Sequence, residues 1–256
     1  MQARARHEAG LTFTTKGKDS DCRNDRLDLS LCIYQVSLLL MIMGRKLRAA
    51  KAAVKINRSK REKALPVSNA NNPYHILSPG PSVPEMCHAY IECPMRSKIK
   101  YELDKQSGFL QISRMLHSAV HYPSNYGFIP QSYCQDHDPL DILVLSQEPV
   151  VPGCVMKARP IGMLRMIDQG LEDIKIIAAH ADDPMFSNYN DISQLPPHML
   201  LEIRHFFEIY KELEKAELPV VEDFHGRIDA CHAIRAALAM YQRHRRQLLQ
   251  GEYPVI

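Results

Sequence analysis

The sequence contains no tryptophan, no C-x-x-C pair and no apolar run long enough to cross a membrane. The longest apolar stretch, residues 29–43, has about fifteen residues, whereas a membrane-spanning helix needs about 20. The seven cysteines are odd in number and scattered, which argues against a disulfide framework and favours a reducing compartment. The missing C-x-x-C pair also argues against a structural zinc site.

Acidic residues are nearly absent between residues 45 and 63, where nine lysines and arginines accompany a single acid, Glu62. Because the whole chain has a net charge of only +3, this asymmetry predicts a basic tail rather than a nucleic-acid-binding surface. The tail is either disordered or an organelle-targeting segment, and a membrane anchor is a less favoured alternative. We expect a tail over residues 1–71 and a folded domain over 72–256. The expected location is the cytoplasm or, through the basic segment, a mitochondrion or plastid.

Residues 65–85 are rich in proline, serine and asparagine, which predicts a linker. Short β-rich runs follow residue 86. Residues 98–103 alternate apolar and charged side chains, and the turn at 104–108 leads into another run, which predicts a β-hairpin. Further β-rich runs precede two amphipathic helices, one beginning at Pro197 and one spanning about 229–249. This order predicts a mainly β fold, a closed or partly closed barrel with flanking helices.

Carboxylates cluster at two turns that border β-rich runs. Asp136, Asp138 and Asp141 form a D-x-D-P-x-D turn, which alone is more typical of a solvated loop and lacks the glycine and glutamate of an EF-hand. Asp168 and Asp173 form a second acidic stretch. Clustered carboxylates repel one another unless a cation lies among them, so the two stretches together favour a site for hard divalent cations.

Further candidate residues lie between these stretches. Glu92 and Glu102 add acids on the first two strands. Cationic and phenolic donors are interleaved with the acids: Lys100, Arg114, Lys175, Lys211, Tyr122, Tyr126 and Tyr210. Carboxylates for several Mg²⁺ ions, together with donors for oxyanions, describe a site for a highly charged phosphate substrate.

Several stretches in this order resemble one known family. They are KIKYELDKQSG, YPSNYGFIP, DHDPLDILV, EPVVPG, MIDQGLEDIKIIA and HFFEIYKELE. The sequence resembles the family I soluble inorganic pyrophosphatases, in particular their plant-type members, over roughly residues 72–242. The resemblance implies an OB-like closed five-stranded β-barrel with C-terminal helices. It also implies Mg²⁺-dependent hydrolysis of pyrophosphate by a metal-activated water, with several Mg²⁺ ions in each active site.

The resemblance further implies roles for individual residues. Metal ligands would be Asp136, Asp141, Asp173, Asp168, Glu102 and Glu92, the last of these the least defined. Asp138 would accept the proton of the attacking water, and Tyr122 is the second catalytic candidate. A phenol with a pKa near 10 is a poor acid at neutral pH, which favours Asp138. Substrate would be held by Lys100, Arg114, Tyr126, Lys175, Tyr210 and Lys211.

Other interpretations remain beside this one. A catalytically silent regulatory or binding subunit would lack at least one site carboxylate, and all of them are present. Nucleic acid is not an expected partner, and the choice between monomer and homo-oligomer is undecided. His117 and His121 lie four residues apart, but with no suitably spaced third ligand we interpret them as surface residues. A solvated helix face is the alternative interpretation of Glu208, Tyr210 and Glu214, and only the resemblance favours a phosphate-binding role for Tyr210 and Lys211.

Overall fold

The computed structural model describes residues 72–214 and 217–254, and the predicted tail over residues 1–71 lies outside them. No helix in these described ranges is long and apolar enough to span a membrane. A short 3₁₀ helix occupies Ile192–Gln194. The other elements in chain order are α1 (Pro73–Ile76), β1 (Cys87–Cys93), β2 (Ile99–Leu103), β3 (Leu110–Met115), β4 (Asn125–Phe128), β5 (Asp141–Leu145), β6 (Val155–Asp168), β7 (Leu171–His180), α2 (Pro197–Ile209), β8 (Val220–Gly226) and α3 (Arg227–Leu249).

Five strands close on themselves. They are hydrogen-bonded in the order β1-β4-β5-β7-β6, and β6 pairs back onto β1 to complete the ring. β8 extends the sheet beyond β6, while β2 and β3 form a separate antiparallel hairpin. The predicted mainly β fold, an OB-like five-stranded barrel with C-terminal helices, is confirmed, and so is the predicted hairpin.

The barrel strands are apolar on both faces because both faces are buried. In β5, Leu143 and Leu145 join a cluster that includes Phe206 of α2, whereas Ile142 and Val144 join a cluster that includes Ile234 of α3. Strands that are buried on both sides need a continuous apolar run rather than an alternating one. The uninterrupted ILVL run of β5 therefore follows from its burial between two apolar clusters.

The N-terminal side of the domain is anchored by α1. The Asn72 side chain caps this helix by accepting the Tyr74 N–H at 2.9 Å. Tyr74 is 1% exposed, and its hydroxyl donates to the Ser132 carbonyl oxygen at 2.6 Å. The prediction of a linker is therefore wrong for residues 72–77, since this segment packs into an aromatic cluster with Phe128 and Tyr241.

β4 passes unusually close to β1. Gly127 pairs with Ile91, and a Cβ atom placed on Gly127 would lie 1.9 Å from the carbonyl oxygen of Tyr90. Only glycine allows two backbones to approach this closely. The close approach places the neighbouring Tyr126 near the strands that carry the acidic residues.

Candidate active site

A cavity of about 210 Å³ opens where the acidic stretches, β2, β4 and the end of α2 meet. Phe206 and Phe207 form an apolar part of its wall. All the candidate residues except Arg114, Glu92 and Glu102 line this cavity: Lys100, Tyr122, Tyr126, Asp136, Asp138, Asp141, Asp168, Asp173, Lys175, Tyr210 and Lys211. Residues that are far apart in the sequence therefore share one small polar space.

The charged residues at the centre of the cavity lie on two barrel strands, β5 and β7. β5 and β7 are parallel, and their register places Asp141 opposite Lys175. Asp173 lies two residues before Lys175, so both side chains emerge on the same face of β7. The Lys175 ammonium forms ion pairs with Asp141 and, at 2.6 Å, with Asp173. Burial alone would lower the pKa of Lys175, but these two carboxylates outweigh burial and raise it, so the side chain stays charged.

Two tyrosines form one wall beside these charges. The Tyr126 hydroxyl donates to Asp141 Oδ2 at 2.5 Å, and the Tyr122 ring lies 5.3 Å from the Tyr126 ring. Tyr122 is 3% exposed. Burial raises the pKa of Tyr122 well above its ordinary value of 10, and the nearby Cys93 thiol raises it further. Tyr122 thus holds its proton tightly, which makes it a weak proton donor at neutral pH.

Glu92 and Glu102 lie in an adjoining cavity of about 480 Å³, which shares Lys100, Tyr126, Asp138 and Asp141 with the first. The Glu92 carboxylate accepts the Leu103 N–H at 2.6 Å. Burial nevertheless raises the pKa of Glu92 to about 8. Glu102 forms an ion pair with Lys100. The structure therefore places these two carboxylates beside the central cavity rather than inside it.

Arg114 approaches the site from β3, opposite Lys100 in the hairpin register. Its Nε atom lies 3.0 Å from Glu214 Oε1, and the Glu214 side chain is only 13% exposed. The interpretation of Glu214 as solvated is wrong, because the turn after α2 folds back onto the hairpin; Glu208 is exposed as that interpretation predicts. Within the described residues, Arg114 Nη2 is buried without a hydrogen-bond partner. A buried unpaired donor of this kind suits an anionic ligand.

Each candidate phosphate-binding cation has a carboxylate partner. Lys211 contacts Asp168 at 2.5 Å, which adds to the pairs already described for Lys100, Lys175 and Arg114. The Lys211–Asp168, Lys175–Asp141 and Arg114–Glu214 pairs were not predicted from the sequence, because they join residues from separate strands and turns. The spacing of acids and bases along single strands could reveal only the Lys100–Glu102 and Asp173–Lys175 pairs.

The carboxylates have the chemistry of a divalent-cation site. Burial, followed by the charge of neighbouring Asp141, raises the pKa of Asp136 to about 7. Asp168 Oδ1 is buried without a hydrogen-bond partner in the described part of the chain. Crowded, desolvated carboxylate oxygens are the ligands that Mg²⁺ prefers, so these residues fit such an ion.

As the side chains stand, no three His, Cys, Asp or Glu residues within 72–214 and 217–254 converge as a ligand set. Lys175 lies between Asp141 and Asp173 instead. His117 and His121 are exposed, and His117 Nδ1 lies 3.3 Å from the Leu213 carbonyl oxygen.

A cleft that alternates carboxylates with cations on an OB-like barrel suits a ligand that carries several negative charges and arrives with divalent cations. Comparison with known proteins agrees with this class. The family described as inorganic pyrophosphatase matches residues 89–242. The chain belongs to the inorganic pyrophosphatase family, whose members are inorganic diphosphatase hydrolases.

Individual relatives cover most of the folded domain. Soluble inorganic pyrophosphatase 2 of Chlamydomonas reinhardtii is 53% identical over 175 residues, which are 68% of this chain and 91% of the relative. Soluble inorganic pyrophosphatase 1 of Arabidopsis thaliana is 48% identical over 177 residues, which are 69% and 83% of the two chains. The crystal structure of inorganic pyrophosphatase from Thermus thermophilus matches with a TM-score of 0.63 and 40% identity, covering 65% of this chain and 97% of that one.

Proposed function

We propose that this protein hydrolyses inorganic pyrophosphate to two phosphates in a reaction that depends on Mg²⁺. The observation that carries the proposal is the shared cavity, in which five aspartates face three lysines and three tyrosines. Pyrophosphate is compact and carries several negative charges, and about 210 Å³ suits a ligand of that size. Family membership supports the same substrate, since the relatives are named soluble inorganic pyrophosphatases.

The cations and phenols bind the substrate. Lysine and arginine neutralise phosphate oxygens, and tyrosine hydroxyls donate hydrogen bonds to them. Lys175 comes from β7 and Lys211 from the turn after α2, so two separate elements supply cations to the cavity. Together they orient the two phosphoryl groups and stabilise the charge that develops on the leaving phosphate. The residues in this role are Lys100, Arg114, Tyr126, Lys175, Tyr210 and Lys211.

The carboxylates have two roles. Asp136, Asp141, Asp168 and Asp173 would hold Mg²⁺, with Glu102 and Glu92 available from the adjoining cavity. Mg²⁺ bound there would lower the pKa of water and neutralise charge on phosphate oxygens. Asp138 is more exposed than the other acids, so its carboxylate is accessible to water. It accepts a proton as the water oxygen bonds to one phosphorus and the bond from that phosphorus to the bridging oxygen breaks.

A catalytically silent regulatory subunit is the less favoured alternative. That function tolerates the loss of a site carboxylate, whereas this chain retains all of them and places them around the cavities. No described feature favours a binding role over turnover.

Phosphate release from pyrophosphate by the purified protein tests the proposal, with excess Mg²⁺ in one arm and excess chelator in the other. We expect turnover only with Mg²⁺, and little release from a phosphomonoester such as p-nitrophenyl phosphate, because the donors surround a small bis-phosphate rather than an organic leaving group. Equal activity on the monoester, or full activity in chelator, would contradict the assignment.

A further inference from the structure

The acidic turn has a strained residue at its centre. His137, between Asp136 and Asp138, has a φ of 67°, in the left-handed region that residues other than glycine rarely adopt. The turn is closed by its own hydrogen bonds, from Cys134 N to Asp138 O at 2.9 Å and from Asp138 N to Asp136 Oδ1 at 3.1 Å. A strained backbone persists only where neighbouring contacts hold it.

Lys105 supplies contacts of this kind from the tip of the β2–β3 hairpin. Its ammonium donates to the His137 carbonyl oxygen at 2.8 Å and forms an ion pair with the Asp138 carboxylate. One side chain therefore contacts both the strained peptide and the carboxylate that follows it. Lys105 lines the adjoining cavity and is not among the residues that line the central one, where Lys175 and Lys211 lie.

The C-terminal tail holds Lys105 and the turn from the other side. The Lys105 ammonium lies 4.7 Å from the centre of the Tyr253 ring, a cation–π distance. The Tyr133 hydroxyl donates to the Pro254 carbonyl oxygen at 2.9 Å and lies 3.2 Å from His137 Nδ1. Residues 253–254 thus contact Lys105 and Tyr133, the two side chains that contact His137. They lie outside the family match over residues 89–242.

We propose that Lys105, held in place by the C-terminal tail, is a positioning residue that fixes the acidic turn and aims the Asp138 carboxylate. The inference rests on the proposed function, because it concerns the residue that accepts the proton from water. An acceptor displaced by even about 1 Å transfers protons poorly, so loosening the turn lowers turnover while the substrate-binding cations stay in place.

The test compares full-length Lys105→Met, Lys105→Arg, Tyr253→Leu and the Lys105→Met/Tyr253→Leu double variant with the wild type. Lys98→Met is the matched control, since Lys98 is an exposed lysine next to the same hairpin. Two quantities are measured: kcat and KM for pyrophosphate at saturating Mg²⁺, and hydrogen–deuterium exchange of residues 133–141 without added metal.

We expect Lys105→Met to lower kcat about tenfold while KM changes less than about twofold. Lys105→Arg should stay within about threefold of the wild type, because it keeps the charge and the hydrogen-bond donors. Tyr253→Leu should show a smaller loss, and the double variant should be no worse than Lys105→Met alone, since both changes act on one contact. Exchange should become faster over residues 133–141 in Lys105→Met and stay unchanged in Lys98→Met.

Other results would overturn the inference. A higher KM with an unchanged kcat would make Lys105 a substrate ligand, and wild-type kinetics in Lys105→Met would show that the turn holds itself. Faster exchange across the whole barrel would indicate general destabilisation. If the kcat losses of Lys105→Met and Tyr253→Leu add up in the double variant, the tail and Lys105 act independently. A wild-type protein that releases no phosphate from pyrophosphate would refute the proposed function and this inference together. If the wild type is active, the variants test the positioning role of Lys105 alone.

Discussion

Replacing Asp141 by asparagine should remove most of the activity but little of the stability, whereas replacing Lys175 by methionine should remove stability as well. The reason is the local charge balance. The Lys175 side chain is 5% exposed and lies between two carboxylates, Asp141 and Asp173, whose side chains are 20% and 10% exposed. Two negative charges and one positive charge are thus buried together. Asp141→Asn leaves a neutral pair, and Lys175→Met leaves two uncompensated carboxylates.

The expected magnitudes differ accordingly. In Asp141→Asn the amide oxygen still accepts the Tyr126 hydroxyl, so the free energy of unfolding should fall by less than about 2 kcal/mol. Removing one partner of a buried ion pair typically costs about 3–5 kcal/mol, which is our expectation for Lys175→Met. Turnover of Asp141→Asn should fall at least about a hundredfold, or about 3 kcal/mol in the barrier, because a metal ligand and a negative charge are lost.

Urea denaturation in chelator measures the stabilities, and phosphate release at saturating Mg²⁺ measures the activities. Asp182→Asn serves as a matched control, since that carboxylate is 64% exposed and paired with Lys157 away from the cavity. If Asp141→Asn unfolds more easily than Lys175→Met, the charge balance described here is wrong. Near-normal turnover of Asp141→Asn would place metal binding elsewhere.

Three further predictions concern the rest of the chain. Burial lowers the pKa of His75 from 6.5 to about 4, so the unfolded chain binds the proton first as the pH falls. Between pH 7 and 4.5 the wild type should therefore lose about 2–3 kcal/mol of stability relative to His75→Asn. Urea denaturation at both pH values measures this loss. Gly127→Ala should leave little soluble protein or lower the melting temperature sharply, because its Cβ has no space beside Tyr90. Deleting residues 1–70 should preserve melting temperature and pyrophosphate turnover; a loss of several degrees with a tenfold slower rate would contradict the predicted domain boundary.

The sequence predicted the barrel and the central cavity because both depend on local patterns. The apolar run of β5, the hairpin turn and the helical periodicity of α2 are properties of short segments. The two acidic stretches border β5 and the β6–β7 turn, and strand pairing brings them together. Residue types and spacing were therefore enough to mark the two acidic stretches, whereas the preference for Tyr210 and Lys211 as site residues depended on the family resemblance.

What the sequence did not predict depends on tertiary contacts. α1 lies in a stretch with the composition of a linker, and the burial of Tyr74, which no local pattern marks, holds this helix against the rest of the domain. β8 is an edge strand in which no residue is fully buried, so it has no alternating apolar pattern. The contacts of Glu214 with Arg114 and of Lys105 with Asp138 join distant segments, and no spacing within the sequence marks them.

The ion pairs of the cavity also affect which ligands it admits. Lys100, Lys175 and Lys211 each already neutralise a carboxylate, so an anion that enters alone can gain a lysine only by leaving that carboxylate uncompensated. A divalent cation that enters alone must in turn draw carboxylates away from their lysines. When anion and cation arrive together, the anion takes up the lysines and the cation takes up the carboxylates, so neither set of side chains loses its counter-charge. We therefore expect the cavity to favour the combination over single anions such as sulfate or chloride, despite the number of lysines.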